Sequence, residues 1–328
     1  MFFQTRRLLV LAGCMIGLTT NAVGADTQPV TSAASTSVAS LEPPMFVAVG
    51  YALQRLVSRD GIHWAHQQAS PEKGQDKDFL LRGVAYGQGK IVAVGGSRTS
   101  RILVSDSNGQ HWKDISVVNN WLGDVAYGNE KFVAVGYQRA MHSADGLQWS
   151  TAVPLKSASW RRVIFGNDCF VAIGGGGSSD QPAGWYATST DGATWTEQAT
   201  DRNLVPHSIA FGAGRFVAVG SYGLRESSRD GKTWEHRTLG EEQETLLEVI
   251  WSGNEFIAWG SKGAYTSSDG MQWSPAKYRL PSRVAVGDNT FVGCSSGRFS
   301  HSTDGLKWTP VTTTEKLQIT KIIYVPRP

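Results

Sequence analysis

Short apolar runs punctuate the chain, and they recur in a fixed order. The most regular is "FVAVG" from Phe46, "IVAVG" from Ile91, "FVAVG" from Phe132, "FVAIG" from Phe170, "FVAVG" from Phe216, "FIAWG" from Phe256 and "FVGCS" from Phe291. Ahead of all but the first stands a second run: "GVAYG" (83–87), "DVAYG" (124–128), "RVIFG" (162–166), "SIAFG" (208–212), "EVIWS" (248–252) and "RVAVG" (283–287). Behind each stands a polar turn ending at Trp64, Trp112, Trp149, Trp195, Trp234, Trp273 or Trp308. The runs are β-branched and aromatic, are bounded by Gly, Asn and Asp, and show no helical period. They are therefore strands, joined by tight hairpins such as "GNEKF" and "GAGRF".

Each unit supplies a first strand ("VAYG"), a second ("FVAVG"), a third running into the turn and a fourth starting at the tryptophan. A four-stranded repeat of roughly 40 residues is the signature of a β-propeller blade. The first unit lacks its first strand, and "KIIYV" (321–325) follows the last tryptophan in the matching position. The expectation is all-β: a seven-bladed β-propeller of four-stranded antiparallel blades over residues 45–328. Its ring is closed by the C-terminal strand completing blade 1, which leaves no open sheet edge.

The turns read "SRDGIHW", "SADGLQW", "STDGATW", "SRDGKTW", "SSDGMQW" and "STDGLKW", with a divergent "SDSNGQHW" at 105–112. The carboxylates of Asp60, Asp145, Asp191, Asp230, Asp269 and Asp304 are placed to accept from the turn's own N–H groups, and the Gly to take positive φ. The Trp buries its ring between sheets. This pattern resembles the Asp-box, or BNR repeat, of sialidases, xyloglucanases and photosystem II assembly factors, although most copies here are one residue shorter. The resemblance implies the fold and a structural role for the motif, which that superfamily's enzymes and non-enzymes share. Sialidases also carry an Arg-Ile-Pro motif before their first repeat. The only near match here, "YRLP" (278–281), precedes the last unit. A non-sialidase member is the reading.

The N-terminus changes the compartment. Arg6 and Arg7 precede "LLVLAGCMIGL" and a small-residue stretch, so residues 1–25 read as a signal peptide and the protein as exported, periplasmic or secreted. The alternative is a lipoprotein anchored through Cys14 of "LAGC". Residues 26–44 read as a disordered Ser/Thr/Pro-rich leader. No stretch is long enough for a transmembrane segment. Cleavage would remove Arg6 and Arg7 and lower the net charge from +3 to +1, a balance that points away from nucleic acid. Cys169 and Cys294 fall in different units and read as unpaired thiols.

Candidate chemistry is sparse. Two carboxylates facing one cleft would make a glycoside hydrolase, and Asp124, Glu248 and Asp180 lie on loops or strand starts suited to line one. The seven histidines are scattered singly without metal-ligand spacing, so no metal and no cofactor is expected. The glycine string "GGGGSSDQPAG" (174–184) lacks the residues of a phosphate-binding loop.

The resemblance further implies that ligands sit at one mouth of the ring, on the loops leading into first strands and those joining second to third. Those loops carry Trp121, Trp160, Arg161, Arg162, His207, Arg283, Arg55, Arg139 and Arg298, with Lys321 and Tyr51 beside them. Such a rim suits an anionic glycan or protein partner. Loops 65–82 and 174–185 are the longest and shape specificity. The expected protein is a monomeric, non-catalytic binding or scaffold propeller, with a carbohydrate-active enzyme as the alternative.

Overall fold

The computed structural model describes residues 44–327 except 71–75, 107, 119, 179–180, 202 and 314–316; the expected signal peptide, the expected leader up to residue 43 and Asp180 lie outside the described residues. The fold is an all-β propeller of antiparallel sheets with two single-turn 3-10 segments, Tyr51–Leu53 and Lys77–Phe79. Four strands in the order Ile319–Val325, Met45–Gly50, Arg55–Ser58 and Trp64–Gln68 form the first sheet, so the C-terminal strand stands beside the first. Phe46 faces Tyr324 and Ala48 faces Ile322 across that seam.

The innermost strands are Leu81–Gly87, Leu122–Gly128, Val153–Gly166, Pro206–Gly212, Leu246–Trp251, Arg283–Gly287 and Ile319–Val325. Each touches the next, and the last touches the first. One departure from separate four-stranded units occurs at the third and fourth repeats. There Lys131–Ser143 and Val153–Gly166 pair through Tyr137 and Ser159 and join both repeats into one six-stranded sheet. The chain turns inside the first of these segments at Gln138, whose φ is +53°.

The repeated turn works as the sequence suggests. In the fourth repeat, Asp191 Oδ1 accepts from the N–H groups of Ala193 and Thr194 at 2.8 and 2.7 Å, and Trp195 Nε1 donates to Gly192 O at 3.1 Å. The Thr194 N–H outweighs burial and, with Ala193 and Ser189, holds that carboxyl well below its usual range. The glycine has a second duty. A Cβ on Gly61 would lie 2.1 Å from Val292 of the neighbouring unit, and its φ is +74°.

Packing between units repeats around the axis. In five repeats the aromatic residue of the first strand packs at a tilt against the phenylalanine of its own second strand, as Tyr127 does on Phe132 at 4.8 Å and Phe165 on Phe170 at 4.7 Å. The same ring covers the glycine closing the previous unit's first strand. A Cβ on Gly128 would meet Phe165 at 2.1 Å, and that is why small residues end these runs. The phenylalanines of the second strands are buried, with Phe132, Phe170, Phe216 and Phe256 fully enclosed. Cys169 and Cys294 are separate buried thiols.

The long loop ending at residue 82 is anchored by Asp78. Its Oδ1 accepts from the N–H groups of Ser97, Arg98 and Thr99 at 3.2, 2.9 and 2.9 Å. Burial alone would raise this carboxyl, but those N–H groups hold it at about 2, against an ordinary 3.8. A depressed acid stabilises the fold above its unfolded pKa and stops doing so as pH falls through the folded one. Unfolding free energies from urea titrations between pH 5 and pH 2 should therefore fall more steeply for the wild type than for Asp78→Asn, by about 2 kcal/mol over the interval. Parallel curves would mean that Asp78 does not tether the loop.

Candidate functional site

The first residue of each "VAYG"-type run falls at one level of the axis. In order around it stand Gly83, Asp124, Arg162, Ser208, Glu248, Arg283 and Lys321. Glu248 is the hub. Its Oε1 accepts from Arg162 Nη2 at 3.1 Å and from Arg283 Nη1 at 3.3 Å, and its Oε2 from Ser208 Oγ at 3.0 Å. Asp124, 2% exposed, accepts from the N–H groups of Val125 at 3.0 Å and Val163 at 3.4 Å. Lys321 Nζ reaches to 3.9 Å of Asp124 Oδ2 across Gly83. A Cβ there would lie 2.4 Å from Asp124 Oδ1, so glycine makes room for the carboxylate.

Burial raises the Asp124 carboxyl despite Lys321, Arg162 and the two N–H groups. Burial likewise lowers the Lys321 ammonium despite Asp124, so at 3.9 Å this pair shifts toward its neutral forms. Glu248 behaves oppositely. Burial would raise it, but the charges of Arg162, Lys321 and Arg283, with the Ser208 hydroxyl, hold it ionised. Arg162 is kept charged against burial by Glu248 and Asp124.

On one side of this layer opens a mouth of about 500 Å³, lined by Tyr51, Leu80, Arg82, Trp121, Gly123, Arg161, Arg162, Arg283 and Thr320. No carboxylate is among these lining residues. Arg82 lies over the Trp121 ring at 5.3 Å and donates from Nε and Nη2 in long bonds to Gly96 O, both at 3.4 Å. The Arg161 guanidinium is exposed and makes no hydrogen bond or ion pair among the described residues. On the other side lies a space of about 730 Å³ between the innermost strands, with Ser208, Glu248, Arg283 and Lys321 at the layer and Tyr127, Phe165, Phe211, Trp251 and Tyr324 along its wall.

The structure thus brings Trp121, Arg161, Arg162 and Arg283 to one cavity. Trp160 requires correction. It is fully buried, donates from Nε1 to Leu155 O at 3.3 Å and packs with Val163 and Phe170, because its side chain turns between units rather than to the rim. Arg55 is also committed elsewhere: to Leu53 O at 2.8 Å, Gln68 Oε1 at 2.9 Å and the face of Trp112 at 5.5 Å. Burial lowers its guanidinium to about 10, with Asp114 opposing. Arg139 sits opposite Pro154 in a strand pair, and Arg298 is exposed at the start of Arg298–Ser302; neither lines the mouth. His207 is half-buried and stays neutral, since burial and then the Arg161 charge lower its pKa.

Sequence reasoning missed Arg82. The signal was there: Arg82 precedes Gly83 as Arg161 precedes Arg162, so aligning the units by their first strand places both at one level. The candidate acids stand in one layer, three places apart in the ring of seven. Arg162 and Ser208 separate them one way round, and Arg283, Lys321 and Gly83 the other. Among the described residues no group of three or more His, Cys, Asp or Glu could hold a metal ion. No helix there is long and apolar enough to cross a membrane.

No protein-family model matches this chain. No curated protein matches it. A solved structure described as YCF48 bound to D1 peptide is similar in fold, with a TM-score of 0.53 and 18% identity over 70% of this chain and 80% of that one.

Proposed function

We propose that this protein is an exported, monomeric, seven-bladed propeller of the Asp-box type, without sialidase activity, that binds an anionic segment of a protein partner at the arginine-lined mouth. The carrying observation is the cavity of about 500 Å³ with four arginines and no carboxylate on its wall, one of them, Arg161, unpaired among the described residues. A planar fork with free donors in a concave site is suited to a carboxylate. A peptide is favoured over a sugar because two of the aromatic rings near the rim are already covered. One face of Trp121 is covered by Arg82, and Trp160 is buried. The likeness to a propeller described with a bound peptide supports the same choice. Asp124 and Glu248 act as braces under this reading, since their oxygens are already engaged.

The test is a random peptide library presented to the chain from residue 26 onward, with affinities read by fluorescence anisotropy. Peptides containing Asp or Glu should bind, and Arg161→Ala should weaken them about 10- to 100-fold, the worth of one charge-assisted hydrogen bond pair. Raising the salt should have the same direction of effect. Arg161→Ala and Arg82→Ala binding like wild type would sink the reading. Glycoside turnover that disappears in Asp124→Asn would replace it with the hydrolase.

A further inference from the structure

A second cavity of about 340 Å³ adjoins the mouth and shares Arg283 with it. It lies where the last repeat meets the first, between the strand start at Ser282, the hairpin at Ser295 and the segment Leu317–Ile319. Cys294, 3% exposed, and the fully enclosed Leu317 form its floor. Burial pushes the Cys294 thiol up to about 11, so at neutral pH it adds no charge. Apart from Arg283 every lining side chain is uncharged. Ser282 Oγ and Ser295 Oγ face each other at 3.2 Å on its rim.

Its walls are set before any ligand arrives. The Gln318 N–H donates to Gln54 Oε1 at 2.6 Å, Gln318 O accepts from the Tyr51 N–H at 2.9 Å, and the Leu317 N–H donates to Gly297 O at 3.2 Å. Arg283 stands at the junction, held by Glu248 Oε1 at 3.3 Å and Ser282 O at 2.8 Å. A preformed neutral cleft beside a cationic mouth is complementary to a chain that changes character over a few residues.

We infer that this cleft is a second subsite. The partner is an extended protein segment with a carboxylate in the arginine mouth and, within three residues of it, an uncharged apolar side chain in the Ser282–Ser295 cleft. Extended chain advances about 3.3 Å per residue, with side chains on alternate sides, so neighbours of the anchor reach it directly. This rests on the proposed function, and the experiment separates the two.

The probes are the best octapeptide from the library and a version in which all residues within three of its acid are glycine. Wild type should bind the first at least 10-fold more tightly. Ser282→Trp or Ser295→Phe, each filling the cleft from one wall, should erase that difference while leaving the glycine version's affinity unchanged. Ser282→Ala should keep the difference. Equal binding of both probes by wild type, or discrimination surviving both filling variants, overturns the subsite and leaves the mouth standing. No binding of either probe overturns the mouth and the subsite together.

Discussion

A chain ending at Gln318 should fail to fold. Residues 319–325 supply the strand that pairs with Met45–Gly50, every residue of which is buried. Their loss exposes the Phe46 ring, now 5.0 Å from Tyr324, and removes the buried Ile322 and Val325. At about 1.5–3 kcal/mol for each buried side chain the loss is on the order of 5–10 kcal/mol, comparable with the whole stability of a domain. Lys321 goes too, leaving Asp124 in its burial without that partner. The Met45–Gly50 edge would become a template for aggregation. Soluble yield, far-UV circular dichroism and a urea titration check this, and a synthetic peptide of residues 317–328 should recover part of the signal when added in trans. A wild-type urea midpoint in the shortened chain would show that the seam carries little stability.

The second large effect should come from Arg162→Met. Arg162 bridges Glu248 at 3.1 Å, both side chains are mostly buried at 18% and 14% exposure, and the Arg162 charge also acts on Asp124. Removing one partner of a buried pair leaves the other uncompensated and costs about 3–5 kcal/mol. Arg283 and Ser208 still reach Glu248, so the lower end of that range is expected. Arg162→Lys should lose less, because the charge remains while the second donor of the fork is gone. Urea titrations of the variants decide it. An unfolding free energy for Arg162→Met within about 0.5 kcal/mol of wild type would mean that the layer is solvated and contributes nothing.

These two experiments address features of different legibility. The seam was readable, because "KIIYV" stands where the repeat demands a first strand and the first unit lacks one. The charged layer was readable only in part. Asp124, Glu248, Arg162 and Arg283 were each visible as residues starting a strand, yet which of them meet depends on which unit adjoins which. Gly83 shows the limit well. In sequence it is one more glycine before "VAYG", while in the structure it is the gap through which Lys321 approaches Asp124.

The misread rim follows from the same cause. Trp160 and Trp121 hold similar places ahead of a first strand, but Trp160 turns into the core beside Leu155 and Trp121 stays at the mouth under Arg82. Arg55 starts a strand at a rim loop, but Gln68 and Trp112 already hold its guanidinium.

The sequence by itself determined the strands, their order and the turn that fastens them, because these depend on local periodicity and on residue types that act within a few positions. Only the tertiary structure decided which of many surface arginines share a cavity without an acid, and which aromatic is buried. Those properties arise from side chains far apart in the chain, and burial and charge pairing act through space.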